Sequence, residues 1–386
     1  MAIEPHVIVL GLGVAGSSIA ATLASRGFRV TGVEQFSPLH ERGSSHGDTR
    51  IFRRVPHEGE VYVEMASASF DGWRAWNRMA KDELFVECGG IDAGPEESRM
   101  VQAAEELCER FDQPFEALRG REFNRRYSHY NLPVDWRVIY HPSSGYARPD
   151  ATRTFLHALA REHGATLLHD TAVVGIEVHS ERVAVRTSRE TIAGDFLVVA
   201  AGSWLPKLFP ELGLNLSTER RVVAWFQPKT GAEFNDGSLP IFCLDADGGW
   251  YGMPTPDGRI KIGHDKHLRQ RIDPDRLPIA PNAEDAAKLS ACIRDYFVGF
   301  DQDPCEMKSC IYTLTTDHNF IIDRHQEHSN VLIFSCCSGH GFKYAPVFGE
   351  MVADLIAGMP RPELDSFGLA RGGGMVTRFK AFSVFQ

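Results

Sequence analysis

His6-Val-Ile-Val-Leu10-Gly11-Leu-Gly13-Val-Ala-Gly16 is the stretch whose reading decides the fold. His6 to Leu10 reads as a short buried strand, and the glycines cut it off in a turn. Gly16 to Arg26 reads as a helix, with Ile19 and Leu23 on one face and Gly27 just past its end. Phe28 to Val33 is the second strand, finishing at Glu34. In this βαβ unit Gly11 permits the tight turn and Gly13 lets a pyrophosphate approach the backbone. Gly16 allows the helix to pack closely on the strand. The helix N-terminus offers N–H groups and a partial positive charge to phosphates. Glu34 stands where a carboxylate grips both hydroxyls of an adenosine ribose. It would repel a 2′-phosphate, which disfavours NADP. These residues alone leave FAD and NAD both open.

The rest of the chain extends that unit. At 386 residues it has room for two domains or one bilobal unit. Hydrophobic residues at 43% and charged residues at 24% are ordinary for a soluble globular protein. A net charge of −10 gives no basic field for nucleic acid or an anionic membrane. The apolar run from Val7 to Ala24 lacks a positive flank and is broken by glycine, serine and threonine. It is therefore neither a signal peptide nor a membrane span, and a cytoplasmic protein is expected. The eight cysteines form no Cys-x-x-Cys pair, so no metal site is expected.

Ser37 to Asp48 is turn-rich, and Tyr62 to Arg78 reads as an amphipathic helix. Residues 147–166 read as another, with Asp150 as N-cap and Gly164 near its end. Ala165 to Val185 alternates like paired strands, and Phe196 to Ala201 is an apolar strand running into Gly202, as where a parallel sheet meets a cofactor. Arg221 to Lys261 alternates with glycine-rich turns, which predicts an antiparallel sheet. Residues 284–298 are helical, Val331 to Cys337 is a buried strand, and Gly341 to Ala357 is a closing helix. The Gly372-Gly-Gly374 tail reads as flexible.

Three further blocks carry a resemblance. They are Ser44-Ser-His-Gly-Asp-Thr-Arg50-Ile-Phe-Arg53, then Cys310-Ile-Tyr312-Thr with Phe320-Ile-Ile-Asp323, then Ser338-Gly-His-Gly-Phe-Lys343. In order and spacing they resemble the monomeric sarcosine oxidase and N-methyltryptophan oxidase family of FAD-dependent amine oxidases, from about Val7 to about Asp365. The resemblance implies an α/β fold, α+β overall. A Rossmann-like FAD-binding domain of the p-hydroxybenzoate-hydroxylase type would carry an inserted antiparallel-sheet substrate domain. Residues 1–80, 145–215 and 311–386 would form the first, and residues 81–144 and 216–310 the second.

The same resemblance implies FAD joined through its 8α-methyl group to the thiolate of Cys310. A thiolate needs positive charge nearby, and His46 and Arg50 are the candidates. Gly202, Val173 and Gly341 would complete the cofactor contacts made by Gly11, Gly13, Gly16 and Glu34. Arg53 and Lys343 match positions that hold a substrate carboxylate, an arginine fork with a second point charge. Tyr251 and His340 match the lining of the substrate pocket, and Tyr312 either joins them or packs in the core. Lys261, in Arg259-Ile-Lys-Ile-Gly263, matches the lysine that meets oxygen, where a fixed cation stabilises developing negative charge.

The implied reaction takes a hydride equivalent from a secondary amino acid, N-methyl or cyclic, and reduces O₂ to H₂O₂. The implied partners are that small molecule and O₂, with neither nucleic acid nor membrane, and a monomeric state. A primary-amine or imino-acid oxidase on the same scaffold, an NAD-dependent dehydrogenase, and a flavoprotein that has lost catalysis remain alternatives. One departure stands out. Asp265 falls where sarcosine-type members commonly carry histidine. A carboxylate there disfavours the neutral amine that oxidation needs, so a larger substrate with its own polar group is expected.

Overall fold

The structure is a computed structural model that describes residues 4–229, 239–267, 269–277 and 279–372. The chain clusters into two compact units. Among the described residues the first holds those up to Gly47, Pro149–Thr218, and Tyr312 to Gly372; the second holds Asp48–Arg148 and Glu219–Ile311. Residues 48–80, expected in the nucleotide domain, cluster with the second unit. Strand Arg50–Phe52 explains this, because it pairs with Gly145–Ala147, which pairs in turn with Phe85–Glu87.

The first unit is built on a six-stranded sheet. Its order is Ile321–Arg324, Val331–Ser335, Phe196–Val199, His6–Leu10, Arg29–Val33 and Thr166–Leu168. All neighbours run parallel except the first pair. Thr166–Leu168 therefore joins the main sheet rather than pairing with the next strand in the chain. That strand, Val173–Val178, instead forms an antiparallel three-stranded sheet with Val183–Thr187 and Thr191–Gly194. Val7, Ile8 and Val9 have no exposed surface, as expected of a parallel strand covered on both faces.

Helix Val14–Ser25 packs on helices Pro149–Glu162 and Ala345–Ile356. Contact with the last is close, since a Cβ at Gly349 would lie 2.2 Å from Thr22 Oγ1. The closing helix begins later than expected, because Gly341–Tyr344 is a 3₁₀ turn. Asp150 sits in the first turn of its helix rather than at the N-cap, since proline at 149 already fits the opening position. Gly373 and Gly374 of the expected tail lie outside the described residues.

The second unit is built on an eight-stranded sheet. Its order is Glu306–Leu314, Ser217–Phe226, Ile260–His264, Trp250–Pro254, Ile241–Leu244, Gly90–Gly94, Arg137–His141 and Glu116–Arg119. The expected antiparallel run is present, but it is joined through a parallel pairing of Ile241–Leu244 with Gly90–Gly94. One face is apolar. Ile91, Phe242, Ile262 and Ala224 pack there with Leu289, Cys292 and Ile293 of helix Ala283–Tyr296. Each such isoleucine or phenylalanine removed from water contributes about 1.5–3 kcal/mol. Strand alternation then turns Asp92, Cys243, Tyr251, Lys261 and Trp225 to the other face.

Candidate active site

In the first unit the phosphate-binding turn is shaped by what glycine lacks. Gly11 has φ +88°, and a Cβ there would lie 2.6 Å from the Ala200 carbonyl oxygen. A Cβ on Gly16 would lie 1.8 Å from the Gly11 carbonyl oxygen. Gly13 is the N-cap of helix Val14–Ser25 and supplies no capping side chain, although Ser45 Oγ accepts from the Val14 N–H at 3.0 Å. A helix start with bare glycine at its cap fits a diphosphate.

Glu34 ends strand Arg29–Val33 and is buried. Its carboxylate accepts from Leu12 N–H at 2.9 Å and from Phe36 N–H at 3.1 Å. Burial alone would raise this carboxyl. The neighbouring His40 and the two backbone donors outweigh it and hold it below its ordinary value. The anion is thus fixed at the end of the strand, where a ribose is expected. Thr171 N–H donates to the Glu34 carbonyl at 2.9 Å, which brings the start of strand Val173–Val178 to the same end of the sheet. Gly202 has φ +51° and opens a 3₁₀ turn after strand Phe196–Val199. The hydroxyls of Ser203 and Thr313 lie 2.5 Å apart, bringing that turn to the Tyr312 segment. These features fit the adenosine diphosphate half of FAD.

The Ser338–Lys343 block forms a tight corner. A Cβ on Gly341 would lie 1.6 Å from the Cys336 carbonyl oxygen, and one on Gly339, at φ +81°, would lie 2.8 Å from the Tyr312 ring. His340 stacks on Phe320 with ring centres 4.8 Å apart, and its Nε2 donates to the His318 carbonyl at 3.1 Å. Lys343 is buried, and its Nζ donates to the His340 carbonyl at 3.0 Å. Tyr312, His340, Gly341 and Lys343 are therefore brought together. His46 is buried in the loop before Gly47.

In the second unit Lys261 lies on strand Ile260–His264 and is only 2% exposed. Its Nζ donates to Asp48 Oδ1 at 2.9 Å and to the Thr49 carbonyl at 3.0 Å. Trp225, directly across from Lys261 in the sheet, donates its Nε1–H to Asp48 Oδ2 at 2.7 Å and sets its ring 4.9 Å from Nζ. Burial pushes the lysine down to about 8, helped by the Arg50 cation and opposed by Asp48 and by Cys310. Arg50 and Cys310, the latter buried on strand Glu306–Leu314, thus share the lysine's electrostatic surroundings. Cys336, by contrast, has its thiol pushed well up by burial and makes a poor nucleophile.

Arg53 is also buried, but its company is different. Nη1 donates to Asp92 Oδ1 at 2.8 Å and to His57 Nδ1 at 2.5 Å, while Nη2 reaches the two Glu58 oxygens at 3.3 and 3.4 Å. Burial works against this guanidinium, yet Cys243, Asp92 and Glu58 raise it above its ordinary value. Burial would likewise raise Asp92, but Arg53 and His141 hold it at about 2.

Tyr251 sits on strand Trp250–Pro254 across from Cys243 and Gly263. A Cβ on Gly263 would lie 2.2 Å from the tyrosine ring, so the ring occupies the space a side chain would take. Asp265 is half-buried just past strand Ile260–His264, with its N–H donating to the Gly249 carbonyl at 2.9 Å. The sequence by itself does not single out Asp48, Trp225, Asp92 or His141. For Asp48, its place inside the Ser44–Arg53 block was the available signal.

The FAD dependent oxidoreductase family matches residues 6–355. The chain belongs to this family. It is 32% identical over 373 residues to a monomeric sarcosine oxidase of Bacillus sp. (strain B-0618), covering 95% of both chains. It is 31% identical over 372 residues to an N-methyl-L-tryptophan oxidase of Yersinia pestis (strain Pestoides F), covering 95% of this chain and 98% of the relative. The resemblance carried by the three blocks therefore holds, and the family excludes the NAD-dependent alternative. The fold is that of NikD, an unusual amino acid oxidase essential for nikkomycin biosynthesis, in its open form. That match has a TM-score of 0.83 at 22% identity, over 95% of this chain and 97% of NikD. L-proline dehydrogenase from P. horikoshii matches with a TM-score of 0.81 at 22% identity, over 96% and 98%. Among the described residues no helix is long and apolar enough to cross a membrane.

Proposed function

We propose that this FAD-dependent oxidoreductase is an oxidase of a secondary amino acid, N-methyl or cyclic, that forms an imine and H₂O₂. The observation that carries the reading is Lys261. A buried lysine with one carboxylate partner, in the electrostatic surroundings of Arg50 and Cys310, is an expensive arrangement for a strand that could hold an apolar residue. It is well suited to stabilising negative charge on oxygen. Bound FAD supplies the hydride acceptor and the route of electrons to O₂. Cys310 is the proposed residue of covalent attachment, with Arg50 and His46 as the cations that favour its thiolate.

Arg53 and Lys343 are the proposed receptors of the substrate carboxylate. Tyr251, Tyr312 and His340 are the proposed pocket lining, and Val173, Gly202 and Gly341 the proposed further cofactor contacts. Nearby cations also favour the neutral amine, the only form with a lone pair to drive oxidation. The proposed enzyme works as a monomer in the cytoplasm. Purified protein is tested for oxygen consumption and peroxide formation across N-methyl, cyclic and primary amino acids. Turnover confined to primary amines overturns the reading. Intact mass after acid precipitation reports one FAD added to the wild type and none to Cys310→Ala. Acid-stable flavin in that variant moves the attachment elsewhere.

A further inference from the structure

The polar face of the eight-stranded sheet carries a buried chain of groups that hydride transfer itself does not call for. Asp92, in the central strand Gly90–Gly94, has no exposed surface. One oxygen accepts from Arg53 Nη1 at 2.8 Å and the other from His141 Nε2 at 3.0 Å. Behind the imidazole, His141 Nδ1 faces Cys108 Sγ at 3.4 Å. Burial pushes that thiol up to about 12, so it keeps its proton and can donate it. His141 thus gives its Nε2–H to Asp92 while its Nδ1 meets the thiol. The second Nη1 proton of Arg53 goes to His57 Nδ1 at 2.5 Å, whereas Nη2 meets Glu58 only at 3.3 and 3.4 Å. One edge of the guanidinium fork is locked and the other is loosely held.

We propose that Asp92, braced by His141, is a positioning residue for Arg53. It pins the Nη1 edge to the sheet so that the Nη2 edge is the one presented to a substrate carboxylate. Arginine is rotamer-rich, and a side chain already held in place loses less freedom when it binds. Asp92 does not touch the substrate, since both oxygens are engaged and the residue is fully buried. The inference rests on the reading of Arg53 as carboxylate receptor. A competing role for Asp92, quenching the arginine's charge, has the opposite sign: its removal would tighten acid binding.

The test uses flavin-loaded wild type, Asp92→Asn, His141→Gln and Arg53→Met. Flavin absorbance reports Kd for cyclopentanecarboxylate and for its amide, and stopped flow reports the limiting rate of flavin reduction by N-methyl-L-alanine. Asp92→Asn should weaken binding of the acid about 10- to 100-fold, leave the amide unchanged, and keep the limiting rate within about threefold. His141→Gln should shift the acid in the same direction by less, and it carries the test if Asp92→Asn fails to fold with flavin. Acid binding that is unchanged or tighter, or acid and amide weakened alike, overturns the proposal. If Arg53→Met keeps the acid-over-amide preference, the carboxylate-receptor reading falls and takes this one with it. If Arg53→Met loses that preference while the Asp92 and His141 variants keep it, only the positioning role falls.

Discussion

Lys261 and Arg53 occupy the same unit, both buried and each with a carboxylate oxygen at 2.9 or 2.8 Å. They are nevertheless pushed in opposite directions. The lysine falls to about 8, because burial and the Arg50 cation outweigh one carboxylate that is shared with Trp225. The arginine rises, because two carboxylates and a nearby thiol outweigh its burial. A salt bridge therefore does not by itself tell whether a buried cation is permanent; the balance of neighbours does. Arg53 is a fixed charge suited to binding, and Lys261 is one that titrates within reach of working conditions.

The largest effect should come from removing the fixed charge. Arg53→Met is expected to cost about 2–5 kcal/mol in binding of carboxylate ligands, much of it from anions left unpaired. An unchanged preference for acids over amides would remove Arg53 from the substrate site. Next, Lys261→Met should leave flavin reduction intact and slow reoxidation by O₂ about 10²–10³-fold. Reoxidation at wild-type speed would sink the oxygen-site assignment.

A subtler difference is the pH response. Lys261 is protonated below about 8 and loses its charge as pH rises through that value, so reoxidation should slow across that window. Asp48 favours the charged form, hence Asp48→Asn should move the fall to lower pH. A flat profile between neutral and alkaline pH would contradict a titrating lysine.

The smallest expected change concerns Asp265. Wild type should prefer bulkier secondary amino acids to sarcosine, and Asp265→His should narrow that gap in kcat/KM. Efficient sarcosine turnover by the wild type would end this idea.

The nucleotide turn was legible in the sequence because its chemistry is backbone chemistry. Gly11, Gly13 and Gly16 stand at fixed spacing, and the close backbone approaches at Gly11 and Gly16 forbid a side chain. Lys261 was legible through the block around it, although its partner was not. Asp48 and Lys261 lie on segments separated by most of the second unit, and nothing in the local pattern of either announces the other. Asp92 was hidden for the same reason. In Gly90-Ile-Asp-Ala-Gly94 it reads as a polar residue on an alternating strand, and only the pairing of that strand with Arg137–His141 brings it a histidine. Residues 48–80 come after the nucleotide motif in sequence. Their place with the second unit is decided by the three-stranded sheet, whose other strands come later in the chain.

The parallel pairing of Gly90–Gly94 with Ile241–Leu244 also bears on how the protein is made. During synthesis the earlier strand emerges long before its partner, with the whole Pro149–Thr218 segment of the other unit between them. Until then one edge of a half-built sheet, with the buried carboxylate of Asp92 on it, has no neighbour on that side. Such distant pairings close slowly and leave strand edges open to association with other chains. Yield of folded protein should therefore respond to chaperone supply and growth temperature more than the stability of the finished molecule would suggest.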